Sequence, residues 1–151
     1  MITIDDLKNK IDRNSRLVGL DVGTKRIGIS ICDDKRSIAT PLKTLAYSNI
    51  NNLINELDTI IFENNIKGII IGNPINMDGS LGKASQSVKS KVDIISKRIT
   101  IPIVLWDERL STVGAFNISS LLDVNVSKRT KKIDENAAAF ILQGAIDYLN
   151  N

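Results

Sequence analysis

The chain contains no histidine. That absence excludes histidine metal sites, Ser-His triads and imidazole acid-base chemistry together. The single cysteine, Cys32, leaves no internal disulfide and no cysteine zinc cluster, and it fits a reducing compartment. Aromatic residues make up only 4% of the chain, so the core has to be built from Ile, Leu and Val. No apolar run approaches the roughly 18 residues of a membrane span. The opening MITIDDLKNK has acids where a signal peptide has basic and then apolar residues. The expectation is a cytoplasmic protein with no targeting segment and no membrane contact. What is present is a chain of 151 residues, 42% hydrophobic and 25% charged, the composition of one soluble domain with a sizeable core.

The net charge of +3 hides an uneven distribution. Residues 80–100 carry Lys83, Lys89, Lys91, Lys97 and Arg98 against Asp93, a net of +4. Residues 124–132 carry Lys128, Arg129, Lys131 and Lys132 with no acid, again +4, which leaves −5 for the remainder. Basic charge gathered in two segments suits a polyanionic partner; ordinary solvated surface is the favoured reading for residues 80–100 taken alone and an equal alternative for the denser second segment.

Hydrophobic periodicity gives the element order. Ile4, Leu7 and Ile11 predict a helix within residues 1–16, appended to a single domain over 17–151. Leu17 to Val22 is an apolar run bounded by Gly23, a buried strand. Ile27, Ile29 and Ile31 alternate with Gly28, Ser30 and Cys32, a strand with one large and one small face that forms a hairpin with the first. Ser37 to Ala46 predicts a third strand, with Pro41 suited to an edge. Ile50, Leu53, Ile54, Leu57, Ile60 and Ile61 mark a helical face ended by Asn64-Asn65. Ile66 to Ile71 is a buried strand. Ser80 is a candidate N-cap for a helix marked by Leu81, Ala84, Val88, Val92, Ile95 and Ile99. Ile101 to Leu105 is the last strand. Leu110 to Leu122 reads as a helix, 123–132 as a polar, mobile loop, and Asp134 to Leu149 as the final helix. The order β-β-β-α-β-α-β-α-α predicts a mixed sheet with helices on both faces.

Carboxylates fall where such sheets collect their sites, at the carboxyl ends of strands. Asp21 ends the first strand, Asp107 and Glu108 follow the last, and Asp134 opens the final helix. With the first and last strands side by side at the sheet centre, Asp21, Glu108 and Asp134 converge. Three such carboxylates repel one another unless a cation joins them, and oxygen ligands alone suit Mg²⁺ or Mn²⁺. Ions of that kind serve phosphoryl displacement. Each acid also has a plainer role: Asp134 as a helix cap, Asp21 in an ion pair with Lys25 or Arg26, and the Asp107-Glu108 pair with Arg109.

Four segments make the chain recognisable. Gly19-Leu20-Asp21-Val22-Gly23-Thr24-Lys25-Arg26-Ile27-Gly28 resembles the opening motif of the YqgF family, bacterial RNase H-like proteins described both as Holliday-junction-resolvase-like and as pre-16S ribosomal RNA nucleases. Gly72 to Ser80 is similar to its second signature, Gly-Leu-Pro-x-Asn-Met-Asp-Gly, with Asn73 in place of Leu. Asp107-Glu108-Arg109-Leu110-Ser111-Thr112 is similar to its third. Lys132-Ile133-Asp134 followed by Ala137 to Gln143 is similar to its fourth, with Glu135-Asn136 departing from the usual small-then-apolar pair. The segments occur in the family's order across residues 17–149.

The resemblance implies an α/β, RNase H-like fold: a five-stranded mixed sheet, its second strand antiparallel. It also implies a divalent-metal endonuclease with Asp21, Glu108 and Asp134 as catalytic acids and metal ligands, holding Mg²⁺ or Mn²⁺. Asp107 is a supporting neighbour. The substrate-binding set is Lys25, Arg26, Asn73, Asn76, Ser80, Arg109, Lys128, Arg129, Lys131 and Lys132, in contact with phosphates rather than bases. The implied partner is nucleic acid, with structured ribosomal RNA precursor or a pre-ribosomal particle ahead of junction DNA. The resemblance further implies a role in ribosome biogenesis, with the chain expected as a monomer or homodimer. The alternatives are a Holliday-junction resolvase, which needs two sites and hence a dimer, a non-catalytic RNA-binding assembly factor, and an actin-like ATP-binding module, for which the chain has only one of the two domains required.

Overall fold

The computed structural model describes residues 1–74, 78–107 and 126–151, the last stretch with its side chains from Asn136 onward. The element order is α1 (Ile4–Lys10), β1 (Arg16–Val22), β2 (Arg26–Cys32), β3 (Ala39–Ala46), α2 (Ile50–Asn64), β4 (Ile66–Asn73), α3 (Lys83–Arg98), β5 (Ile103–Asp107) and α4 (Val126–Asn150). The strands form one mixed sheet in the order β3-β2-β1-β4-β5. β2 is antiparallel to both β1 and β3, whereas β4 is parallel to β1 and to β5.

Local chemistry sets the boundaries. The β1–β2 turn closes through the Gly23 amide, which donates to the Arg26 carbonyl at 3.0 Å. A Cβ at Gly23 would stand 2.6 Å from that oxygen, so the turn needs glycine there. Asn49 caps α2 by accepting from the Asn52 amide, and Asn65 ends it in the left-handed conformation with φ 53°. β3 lies at the sheet edge, where Pro41 costs no ladder bond that a central strand would need. It starts at Ala39 rather than Ser37, because Ser37 and Ile38 fold back on Asp33. β5 starts at Ile103, after Pro102, and runs on through Asp107.

Two expectations are corrected. The first and last strands are not neighbours: β4 separates β1 from β5. The hairpin occupies one flank of β1, so the first parallel strand takes the other and the last strand can only add outside it. Residues 126–132 are also helical rather than a loop, so Asp134 lies two turns inside α4 and is not its N-cap. The helix expected over Leu110 to Leu122 lies outside the described residues.

Strand alternation divides the core between the two sheet faces. Val18, Leu20, Ile29, Ile69, Ile71 and Ile103 pack with α2 and α3 through residues such as Leu53, Leu57, Val88 and Ile95. On the other face Leu17, Cys32, Ile70, Val104 and Trp106 pack with Ile141, Leu142, Ala145, Ile146 and Leu149 of α4. The small face of β2 is the one that receives α4.

The N-terminal segment joins this second layer. Thr3 and Asp6 cap α1 reciprocally, a capping box. The Ile2 amide donates to the Ile103 carbonyl at 3.0 Å, against the outer edge of β5. Leu7 is fully buried in the α4-side core, and Tyr148 of α4 donates to Asp5 at 2.8 Å. Arg36 is buried and donates to the Asp12 carbonyl and to Asn150 Oδ1, while the Asn150 amide returns a bond to the Arg36 carbonyl. Burial pushes the Cys32 thiol above its ordinary pKa, and its sulfur accepts from the Leu17 amide. Among the described residues no helix is long and apolar enough to cross a membrane.

Leu7→Ala is expected to destabilise the protein by about 2–5 kcal/mol in equilibrium urea unfolding; a loss of only a few tenths would mean that α1 contributes nothing to the core. The β2–β3 turn gives a pH signature. Asp33 accepts from the Ile38 and Ser37 amides and from the Ser37 hydroxyl, which holds its carboxyl down at about 2. A depressed carboxyl stabilises the fold fully above its unfolded pKa, near 3.9, and that contribution fades as pH falls through about 2. Asp33→Asn should therefore lower the melting temperature at pH 6, and by progressively less as pH falls from about 4 through about 2. An NMR titration midpoint of Asp33 close to 4 would contradict this account.

Candidate active site at the carboxyl edge of the sheet

The strand order brings the carboxyl ends of β1, β4 and β5 to one edge. Asp21 is the next-to-last residue of β1, and β4 ends with Asn73 and β5 with Asp107. Lys25, in the turn after β1, and Arg26, which opens β2, stand at the same edge. Asp21 is half-buried, Lys25 exposed and Arg26 half-buried. Extending the β1–β4 register one residue beyond Leu20↔Ile71 sets Asp21 opposite Gly72, which pairs with Trp106.

Alternation assigns each acid a face. Leu17 and Gly19 face α4, so Asp21 does too. Trp106 faces α4, so Asp107 faces α3. Asp21 and Asp107 thus stand on opposite faces of the sheet and two strands apart, a lateral separation of about 10 Å. Asp107 is not positioned to share a ligand with Asp21.

α4 is fixed relative to Asp21 by a contact in the sheet centre. The buried Ser30 hydroxyl donates to the Ala138 carbonyl at 2.7 Å, and Ser30 pairs with Gly19 across the hairpin. Farther along, Gln143 accepts from the Ala39 amide and Asn150 meets Arg36. Successive contacts of α4 therefore follow β2 away from the carboxyl edge, and α4 runs antiparallel to β1. Moving back from Ala138 by one turn, about 6 Å, reaches position 134. Moving from Gly19 toward the edge by two residues, about 7 Å, reaches Asp21. Ala138 is fully buried against the sheet, and positions 134 and 138 share one helix stripe. The backbone of α4 thus sets position 134 above the Asp21 end of β1. Positions 128, 129, 131 and 132 fill the first two turns of α4, where there is no acid in the first turn. Position 128 lies about 9 Å beyond position 134 along the helix axis.

The loop between β4 and α3 is held at its start by a buried pair. Asn73, 8% exposed, accepts from the fully buried Ser85 hydroxyl at 2.7 Å. Asn73 faces α3, and its carbonyl oxygen is committed to the protein. Ser80 does not cap α3 as expected. Its amide and hydroxyl both donate to Asp78, at 2.9 and 2.6 Å, and the N-cap is Gly82, with no side-chain bond. An Asp-x-Ser turn satisfies the serine locally and lets the helix start later. Among the basic residues of α3, Lys91 stands 4.8 Å over the Tyr47 ring and Arg98 bonds Asn51, so these two are engaged within the protein.

Glu108, Arg109 and Asn76 lie outside the described residues, as do the side chains of Lys128, Arg129, Lys131, Lys132 and Asp134. Of the three acids expected to converge, Asp21 is described in full and Asp134 by its place in α4. Among the described residues no group of three His, Cys, Asp or Glu side chains gathers. Among the described residues the side-chain donors at this edge are oxygens, the Asp21 carboxylate among them, a set that fits Mg²⁺ or Mn²⁺ better than softer ions. Two residues that organise the edge, Ser30 and Ser85, were not singled out from the sequence. The small-face alternation of β2 was the one signal for Ser30, and nothing marked Ser85.

Several known proteins are similar to this chain. The model of a family described as RuvX, Holliday junction resolvase, matches residues 15–148. A protein of Pelagibacter ubique (strain HTCC1062) named "Putative pre-16S rRNA nuclease" is 67% identical over 151 residues, the whole of both chains. A protein of the same name from Rhodobacter capsulatus is 40% identical over 146 residues, 97% of this chain and 92% of its own. Among solved structures, T. thermophilus RuvC in complex with a Holliday junction substrate aligns with a TM-score of 0.54 at 9% identity, covering 89% of this chain and 95% of that one. A second Thermus thermophilus RuvC structure also gives 0.54, at 8% identity over 90% and 97%. At such low identity these two matches establish the fold, which is RNase H-like.

Asn73→Ala should cost about 1–3 kcal/mol by leaving the buried Ser85 hydroxyl without its acceptor. The double variant N73L/S85A, which removes both polar partners, should recover most of that loss in chemical denaturation. Equal stabilities for the single and double variants would show that the pair does not hold the loop.

Proposed function

This chain belongs to the YqgF family, whose sequence model carries the RuvX description, and on that premise we propose that it is a divalent-metal endonuclease of the cytoplasm acting on structured RNA. The favoured substrate is a ribosomal RNA precursor, alone or within a pre-ribosomal particle. The observation that carries the reading is the meeting of two features at one edge: position 134 of α4 lies above Asp21 of β1, and a run of four basic residues continues α4 outward from that point.

In this reading Asp21, Glu108 and Asp134 hold Mg²⁺ or Mn²⁺. Asp107 is set aside because it faces α3, which leaves Glu108 as the acid of that pair. The chemistry such an ion supplies when bound is activation of water and neutralisation of charge on the phosphate. The chain's own contribution is positional and electrostatic. Asp21 is anchored by a strand in the sheet centre, and Asp134 by a helix packed on that strand, so neither depends on a loop for its place. Lys128, Arg129, Lys131 and Lys132 add positive charge to a helix end that already carries positive partial charge. An RNA phosphate backbone relieves that accumulation and is thereby drawn across the edge. Lys25, Arg26, Ser80, Arg109 and Asn76 serve the same backbone, while Asn73 contributes through the loop that it ties to Ser85. Contacts of this kind position a substrate without reading its sequence.

A second reading comes from the description of the family model, which names junction resolution. Paired cuts require two sites and therefore a dimer.

The test is cleavage of end-labelled 16S ribosomal RNA precursor and of four-way junction DNA by the purified protein, with Mg²⁺, Mn²⁺ or EDTA. The expected result is metal-dependent RNA cleavage, reduced about 100-fold or more by Asp21→Asn, Glu108→Gln or Asp134→Asn, since losing a ligand should cost at least as much as losing a supporting partner. Full activity in a folded Asp21→Asn protein would overturn the mechanism. Cleavage of the junction alone by a particle that is dimeric in light scattering would replace the RNA reading with the resolvase reading. RNA binding without metal binding or cleavage would make the protein a non-catalytic assembly factor.

A further inference from the structure

Ser30 is a polar group with no exposure, placed where α4 crosses β1 and β2. Its hydroxyl has one proton to donate, and the shorter bond, 2.7 Å to the Ala138 carbonyl, is the one that links sheet to helix; the Gly19 carbonyl is 3.4 Å away. The contact leaves no slack. A Cβ built on Gly19 would stand 2.5 Å from Ser30 Oγ, 2.7 Å from Leu142 Cβ and 2.9 Å from the Ala138 carbonyl. Strand, hydroxyl and helix therefore touch directly. Gln143, Tyr148 and Asn150 anchor α4 farther from the carboxyl edge, by one to three turns.

We propose that Ser30 is a positioning residue for the carboxylate site: by holding the Ala138 carbonyl, it sets the height and register of α4, and so of position 134, over Asp21. The inference rests on the reading of Asp21 and Asp134 as ligands of one cation. Position 134 is one helical turn from the contact, and a turn of helix transmits a displacement nearly undiminished. A small hard cation tolerates little displacement of its ligands: Mg²⁺ demands near-ideal octahedral geometry at about 2.1 Å. The helix itself does not need the bond. The Ala138 carbonyl keeps its own i+4 amide partner when Ser30 is removed, so the loss falls on the seating of α4 and not on its integrity.

The test is direct Mn²⁺ binding to the substrate-free protein, read as loss of the free-ion EPR signal. The variants are Ser30→Ala, Ser30→Cys, Gln143→Ala and Asp21→Asn, each checked by circular dichroism and thermal melting. Ser30→Cys keeps a weak donor in a slightly larger side chain, the opposite change in volume from Ser30→Ala, so a loss common to both reports the hydroxyl bond and not a void. Asp21→Asn should abolish binding. Ser30→Ala should weaken it about tenfold, in the range seen for residues that orient metal ligands, with Ser30→Cys between it and wild type. Gln143→Ala, which loses bonds on the same helix about one and a half turns farther from the carboxyl edge, should bind as wild type does even where its melting temperature falls as far. Wild-type affinity in both folded Ser30 variants would overturn the positioning role and leave the carboxylate reading standing. Equal Mn²⁺ binding by wild type and Asp21→Asn would overturn the carboxylate reading itself, and this inference with it.

Discussion

The close seat of α4 on β1 and β2 is the constraint on which the rest of the molecule depends. It is made possible by small residues on both sides: Gly19 on β1, Gly28, Ser30 and Cys32 on β2, and Ala138 and Ala145 on the helix. Where a larger side chain would hold the layers apart, the helix backbone reaches the strand, and one serine hydroxyl spans what remains. The same seat closes the second core layer, in which Leu17, Ile70 and Ile141 have no exposure. Because interiors are close-packed, a contact this tight has no continuous range of alternatives. It fixes the helix.

Its consequence is felt at the edge of the sheet. In a mixed sheet the carboxyl ends of the parallel strands coincide, and a helix running back over them adds side chains from above. β1 supplies Asp21, α4 supplies position 134, and the two come from elements separated by more than a hundred residues of chain. Neither stands on a loop, which would suit the proposed carboxylate site, whose geometry must be held closely. The loop after β4 is treated differently. It is tied down at one point, where Asn73 meets Ser85, and satisfies Ser80 through Asp78 within its own turn.

The opposite end of α4 is secured with comparable care. Arg36, Asn150, Tyr148 and Asp5 connect the helix terminus to the β2–β3 turn and to α1, and Leu7 inserts beneath it. The helix is thus gripped along its last turns while its first turns extend past the sheet. Ser30 touches the helix between those gripped turns and the basic first turns.

Much of this was legible in the sequence because it is local. The alternation of Ile27, Ile29 and Ile31 with Gly28, Ser30 and Cys32 determined a two-faced strand. Periodicity determined α2 and its end at Asn65, and the absence of histidine removed imidazole from any donor set. The four motifs determined the family. Tertiary structure decided the rest. That β4, not β5, lies beside β1 depends on which flank the hairpin leaves free, and no local pattern carries that. That Asp107 faces away from Asp21 depends on the register between strands. Ser80 preferred Asp78 to the helix end, a choice between two neighbours that composition does not rank. That α4 begins at Val126 turned a basic segment expected as a loop into a helical extension. The roles of Ser30 and Ser85 were invisible because a serine's importance here comes from what is packed against it, and that is settled only when distant segments meet.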